Sequence, residues 1–135
     1  MADLTITAAS VAKGANSNTK SGTAGAAITQ GQPVYLAAAT TTLFPADADL
    51  LASAAVVGVA LNAASTGQPV TYQTSGPITI GATVTVGTAY YASTTAGGVC
   101  LESDLASGDF ATFLGFATST TVITLDIKAA GVAKA

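Results

Sequence analysis

An all-β fold, a small barrel or sandwich built from two similar halves with an extended N-terminal arm, is what this sequence predicts, on three observations. Apolar and polar residues alternate with period two in Leu4-Thr5-Ile6-Thr7, Ile78-Thr79-Ile80 and Val84-Thr85-Val86, the pattern of half-buried strands. Threonine, with 22 copies, is the usual polar partner, and its β-branch suits a pleated surface. Finally, the same run of elements occurs twice along 135 residues, a length suited to one domain.

The first 27 residues are unlike the rest. After Leu4-Thr5-Ile6-Thr7 the chain becomes small, polar and glycine-rich from Ser10 to Gly22, with two of its four lysines. Such a composition supplies no core, so residues 1–27 are expected to form a strand followed by an extended arm or long mobile loop. Ser10, Lys13, Asn16, Asn18, Lys20 and Gly25 are the candidate contact residues of that arm.

Residues 28–127 are expected to form a single β domain from two pseudo-repeats, about 28–75 and 80–127. Gly31-Gln32-Pro33-Val34-Tyr35 matches Gly87-Thr88-Ala89-Tyr90-Tyr91 at an offset of 87 − 31 = 56. Val57-Gly58-Val59-Ala60 matches Leu114-Gly115-Phe116-Ala117 at 115 − 58 = 57, and Asp49-Leu50 matches Asp104-Leu105 at 104 − 49 = 55. Val70-Thr71-Tyr72 is matched to Ile123-Thr124-Leu125 at 123 − 70 = 53. Each unit reads as strand, short acidic turn, buried strand, strand, and neither closes a core alone. Val56 to Leu61 and Phe113 to Ala117 are apolar on both faces and are expected to be central strands covered on each side. Asp47 to Ser53 and Glu102 to Ser107 form a turn or two with acidic starts, and residues 128–135 read as a loose tail.

Composition narrows function. Charged residues make up 8% of the chain, against about 25% in a typical globular protein. A surface so poor in charge invites association, so neighbouring subunits are expected to cover part of it. With four lysines, no arginine and a net charge of −3, there is no basic cluster to neutralise phosphates, and no nucleic-acid partner is expected. The N-terminus lacks a signal-peptide pattern and no apolar run is long enough for a membrane helix, so no membrane partner is expected and synthesis is assigned to the cytoplasm.

The residues for catalysis are equally sparse. There is no histidine, which removes the commonest general base, metal ligand and nucleophile partner. Cys100 stands alone and reads as a buried apolar thiol. The acids Asp47 with Asp49, and Glu102 with Asp104, read as turn caps, since a calcium site needs about 6–8 oxygens. No cofactor, metal site or enzyme activity is expected. Tyr35, Tyr72, Tyr90 and Tyr91 read as core or core-edge residues, with a sugar platform or an interface as the alternatives.

The two glycine-anchored strand starts, Gly31 to Tyr35 and Gly87 to Tyr91, with the paired strands Val56 to Ala60 and Leu114 to Ala117, resemble small head decoration (cement) proteins of tailed bacteriophages. The resemblance covers about residues 28–127 and implies a trimer on the outer surface of the capsid. There it would clamp adjacent copies of the major capsid protein, with Ser10 to Gly25 docking on the capsid or a neighbouring protomer. A receptor- or glycan-binding module of a phage tail or fibre is the alternative.

Overall fold

The computed structural model describes residues 4–37 and 41–134, in which ten strands and two single 3-10 turns make up the regular structure. The strands are β1 (Val11–Lys13), β2 (Asn18–Thr23), β3 (Pro33–Ala37), β4 (Thr42–Pro45), β5 (Val56–Ala60) and β6 (Pro69–Ile80), then β7 (Ala89–Ala92), β8 (Val99–Cys100), β9 (Phe110–Ala117) and β10 (Val122–Ala133). The fold is all-β: one antiparallel sheet in the order β4-β3-β5-β6-β10-β9-β7-β8 curls into a half-barrel, and β1 and β2 both pair with β6.

That strand order is the internal repeat made visible. Reading inward from either end gives β4-β3-β5-β6 and β8-β7-β9-β10, with the two innermost strands paired antiparallel from Val122–Thr79 to Asp126–Ser75. Pro33 faces Val59 and Val34 faces Gly58, just as Ala89 faces Phe116 and Tyr90 faces Gly115. A register shift follows at the same point of each half, between Val34 and Tyr35 and between Tyr90 and Tyr91.

The turn that opens each unit is also shared. Gly31 (φ +88°) and Gly87 (φ +82°) adopt the left-handed conformation that glycine takes without penalty. Their N–H groups donate to Ala60 O (2.9 Å) and Ala117 O (2.8 Å), and the N–H groups of Ala60 and Ala117 donate back to Gln32 O and Thr88 O. The last strand pair corrects the sequence alignment. Tyr72 and Gln73 occupy the positions of Ile123 and Thr124, as their pairing with Ala60, Val59, Ala117 and Phe116 shows, an offset of 123 − 72 = 51 rather than 53. The slip of two preserves the buried face, which is why alternation alone did not detect it.

The extended arm expected over residues 1–27 is replaced by a strap bound to the sheet. Leu4 N–H donates to Val99 O (2.8 Å) beside β8, and Thr7 N–H to Gly81 O (2.8 Å). β1 then pairs with Ile78 to Ile80, and β2 with Pro69 to Ser75. Ala24 bridges to Leu43 in β4, with Gly25 N–H on Leu43 O at 2.8 Å. The strap thus runs from the edge strand of one half to the edge strand of the other, along the otherwise open side of β6. The physical reason is main-chain hydrogen bonding, which needs no apolar side chain. The accessible surface, 6215 Å², agrees with the ~6,300 Å² expected of a compact monomer of this mass, so little of the strap among the described residues trails free.

The predicted loose tail is likewise paired. β10 continues to Ala133 opposite Phe110, and Lys134 Nζ donates to Leu105 O (2.7 Å) and meets Glu102 Oε1 at 3.3 Å. Val84-Thr85-Val86 is a loop rather than a strand, though Val84 is buried and its N–H donates to Thr120 O.

Two main apolar cores follow from this topology, beside a small cluster of Ala48, Cys100 and Leu105. Ala24, Ile28, Val34, Leu43, Ala60, Val70 and Tyr72 fill the smaller one, inside the ring that β2 completes. The larger core contains Tyr90, Val99, Leu114, Ile123 and Leu125 from the second half, Ile78 and Ile80 from the end of β6, and also Val56 and Val59 from the first half. β6 serves both cores because it is long and changes pairing partners midway.

Gln73 holds that midpoint. Fully buried, it sends its Nε2 donors toward the carbonyls of Ser75, Gly76 and Pro77 at 3.2, 3.0 and 2.8 Å. Replacing Gln73 by Leu removes the amide that these carbonyls share, and losing its hydrogen bonds costs about 1 kcal/mol. The expected result is a lowered urea midpoint with little change in slope; an unchanged midpoint would show that the amide does not hold the strand.

Candidate interaction surface

Six residues of the strap were candidates for contact, and they fall into two groups. Ser10, Lys13, Asn16 and Lys20 are exposed. Ser10 closes the 3-10 turn with its N–H on Thr7 O, and Lys13 ends β1 opposite Ile78. Asn16 turns the chain between β1 and β2 with φ 59°, a conformation asparagine tolerates. Lys20 sits opposite Tyr72. Together they make a row along the strap, not a cluster.

The other two work within the chain. Asn18 Nδ2 donates to Ser75 Oγ at 2.8 Å and its carbonyl accepts from Thr74 Oγ1 at 3.3 Å. A Cβ on Gly25 would lie 2.5 Å from the Phe44 ring, so a side chain here would have to displace that ring.

The acidic turns behave as caps. Asp47 Oδ1 accepts from Asp49 N–H (3.0 Å) and Ser53 Oγ (2.8 Å), Asp104 Oδ2 from Leu101 N–H, and Asp109 Oδ2 from Ala106 N–H (2.7 Å). Among the described residues no three metal-ligating side chains come together. Cys100 is buried beside Ala48 and Leu105. Tyr72 and Tyr90 are buried, with Tyr90 Oη accepting from Thr85 N–H at 3.0 Å, and Tyr35 and Tyr91 are half-buried. The tyrosines therefore form no exposed platform.

The largest departure from the sequence reading is Phe116. The strand Phe113 to Ala117 was expected to be covered on both faces, yet Phe116 is 52% exposed. Its ring lies 5.0 Å from Phe113, which lies 5.8 Å from Tyr91, both edge to face. Matching the halves explains the exposure. Val56, Val59 and Tyr35 occupy the positions of Phe113, Phe116 and Tyr91, and in the first half that outward face packs into the larger core. In the second half only part of it is covered: the turn after β4 lies across Tyr91, Cys100 and Ala111 through Ala48, and Thr112 Oγ1 donates to Ala54 O. Period-two alternation marks a residue as apolar but cannot distinguish which of two matched faces has a neighbour.

A second surface feature is an open cleft of about 350 Å³ lined by Gly81, Ala82 and the hydroxyl-bearing residues Thr5, Thr7, Ser10, Thr79, Thr83 and Thr121. It carries no charged or aromatic side chain. Compared with known proteins, the chain matches no family model and no curated sequence.

Proposed function

We propose that the protein is a structural component of a virion, a homo-oligomer that binds the outer surface of the capsid and stabilises the head by bridging copies of the major capsid protein. The observation that carries the reading is the glycine-anchored motif pair: Gly31 to Tyr35 with Val56 to Ala60, and Gly87 to Tyr91 with Leu114 to Ala117, which resemble head decoration proteins and occupy matched positions of the two halves. Three further features support it. The chain has 8% charged residues and no histidine. Phe116 presents an aromatic face where the equivalent face of the other half is packed. The exposed strap residues Ser10, Lys13, Asn16 and Lys20 offer a polar row for a second contact. Many modest contacts made together give strong retention through effective concentration. A glycan-binding tail module is less well supported, because the tyrosines that would carry it are buried or half-buried.

The test is a heat challenge. Heads carrying the protein are expected to survive a temperature that opens bare heads. Phe116→Ser, at a half-exposed site, is expected to keep the melting temperature of the free protein within about 5 °C while weakening self-association or head binding tenfold or more. Unchanged association and protection would remove the aromatic face from the proposal, and heads that gain no protection from the wild-type protein would contradict the function.

A further inference from the structure

We propose that the N-terminal strap, residues 4–25, is an exchangeable element, and that in the self-associated protein the strap of one copy occupies the β6 edge of a second copy. The inference rests on the reading above that the chain self-associates, and it names the segment through which it does so.

Few side chains tie the strap to its own body. Of its residues only Val11 and Ala24 are buried apolar side chains, with Leu4 and Ile6 half-buried against the larger core. β2 buries none: five of its six residues are exposed and Gly22 is half-buried. What holds β2 is the ladder from Thr19–Gln73 to Thr23–Pro69, with Asn18 on Ser75 and the Ser21 and Thr71 hydroxyls 3.4 Å apart. A strap from another copy would restore every one of these contacts, so the exchange carries little net cost beyond that of association.

The connection has the form that exchange requires. Ile28 is fixed to the body by reciprocal hydrogen bonds with Ala64, both 2.9 Å. Gly25 is the last residue bound to β4, through Leu43 O. Between them stand only Ala26 and Ala27, a short hinge of small residues, and short hinges favour the exchanged form. Whichever copy supplies the strap, the β6 edge stays covered, which an edge of that length needs to avoid indiscriminate pairing.

Ser21 and Thr71 provide the test. Thr71 N–H donates to Asn62 Oδ1 (2.7 Å) and Thr71 O accepts from Leu61 N–H (2.8 Å), both on the side away from β2. Ser21–Thr71 is therefore a non-hydrogen-bonded pair, the kind whose side chains lie closest. Chains carrying Ser21→Cys alone and Thr71→Cys alone are unfolded together, refolded at high concentration and oxidised in a glutathione buffer, with Cys100 buried in the folded chain. The expected product is a disulfide-linked species of twice the chain mass, joining the two different chains through residues 21 and 71. Each variant refolded alone is the baseline.

The double variant Ser21→Cys/Thr71→Cys separates the failures. Crosslinks only within a chain, in a protein that sediments as an oligomer, would overturn the exchange and leave self-association standing. Crosslinks only within a chain, in a protein that is monomeric at every concentration, would overturn both. No crosslink of either kind would contradict the β2–β6 register on which the exchange depends.

Discussion

Gly115→Val is expected to lower the melting temperature by about 10 °C or more, corresponding to a loss of about 3 kcal/mol. A Cβ at Gly115 would overlap the carbonyl oxygen of Thr124 on the paired strand and approach Ile123 Cγ2 to 3.1 Å. The obstacle is backbone, so no rotamer change relieves it. β9 would have to separate from β10, the strand with which it shares its longest ladder. Gly58→Val meets the same obstacle in the first half, where the Cβ would lie 2.6 Å from both Gln73 O and Tyr72 Cδ2. Thermal unfolding followed by circular dichroism reads both variants. Melting within about 2 °C of wild type for the pair would refute the close strand approach that the repeat imposes on each half.

Deleting residues 2–25 is expected to abolish the folded monomer rather than merely a contact. The deletion removes Leu4, Ile6, Val11 and Ala24 from the two cores and strips one side of β6 along Pro69 to Ser75 and Ile78 to Ile80. Those strand positions would lose their ladder partners, and Leu43 O and Val99 O would lose theirs. Exposed strand edges of this length template aggregation, so sedimentation should show aggregate, and circular dichroism should lose the native transition. A soluble truncated chain with wild-type melting would show that the strap is dispensable. The same result decides how docking experiments are designed: a role of the strap in binding must be tested by substituting its exposed residues, such as Lys13 and Lys20, not by removing it.

The two halves were legible in the sequence because they depend on features that local residues dictate. Glycine at 31 and 87 is demanded by a left-handed turn, and glycine at 58 and 115 by a neighbouring backbone. Both requirements leave a mark at fixed spacing. Cys100 and the turn-capping acids were legible for similar reasons, one apolar in an apolar run, the others beside the N–H groups they accept from.

The strap was not legible, because what fixes it is main chain. Asn18 to Thr23 has the composition of a mobile loop and still forms six pairs with β6, broken by a single shift after Asn18, since hydrogen bonding to an open edge asks little of the side chains. Nor was the exposure of Phe116 legible. Val59 and Phe116 hold equivalent positions on equivalent strands, and only the curl of the whole sheet determines that one is buried and the other is 52% exposed. Facts about which surface lacks a neighbour are properties of the assembled fold, and the interaction surface is made of such facts.

The proposal that this is a capsid decoration protein is tested most directly by its copy number in purified particles, measured against the major capsid protein by quantitative mass spectrometry. About one copy per capsid subunit, within a factor of about three, is expected of a protein that bridges neighbours over the whole head. A handful of copies per particle would place it on a tail or fibre instead, and its absence from particles would contradict a virion role altogether.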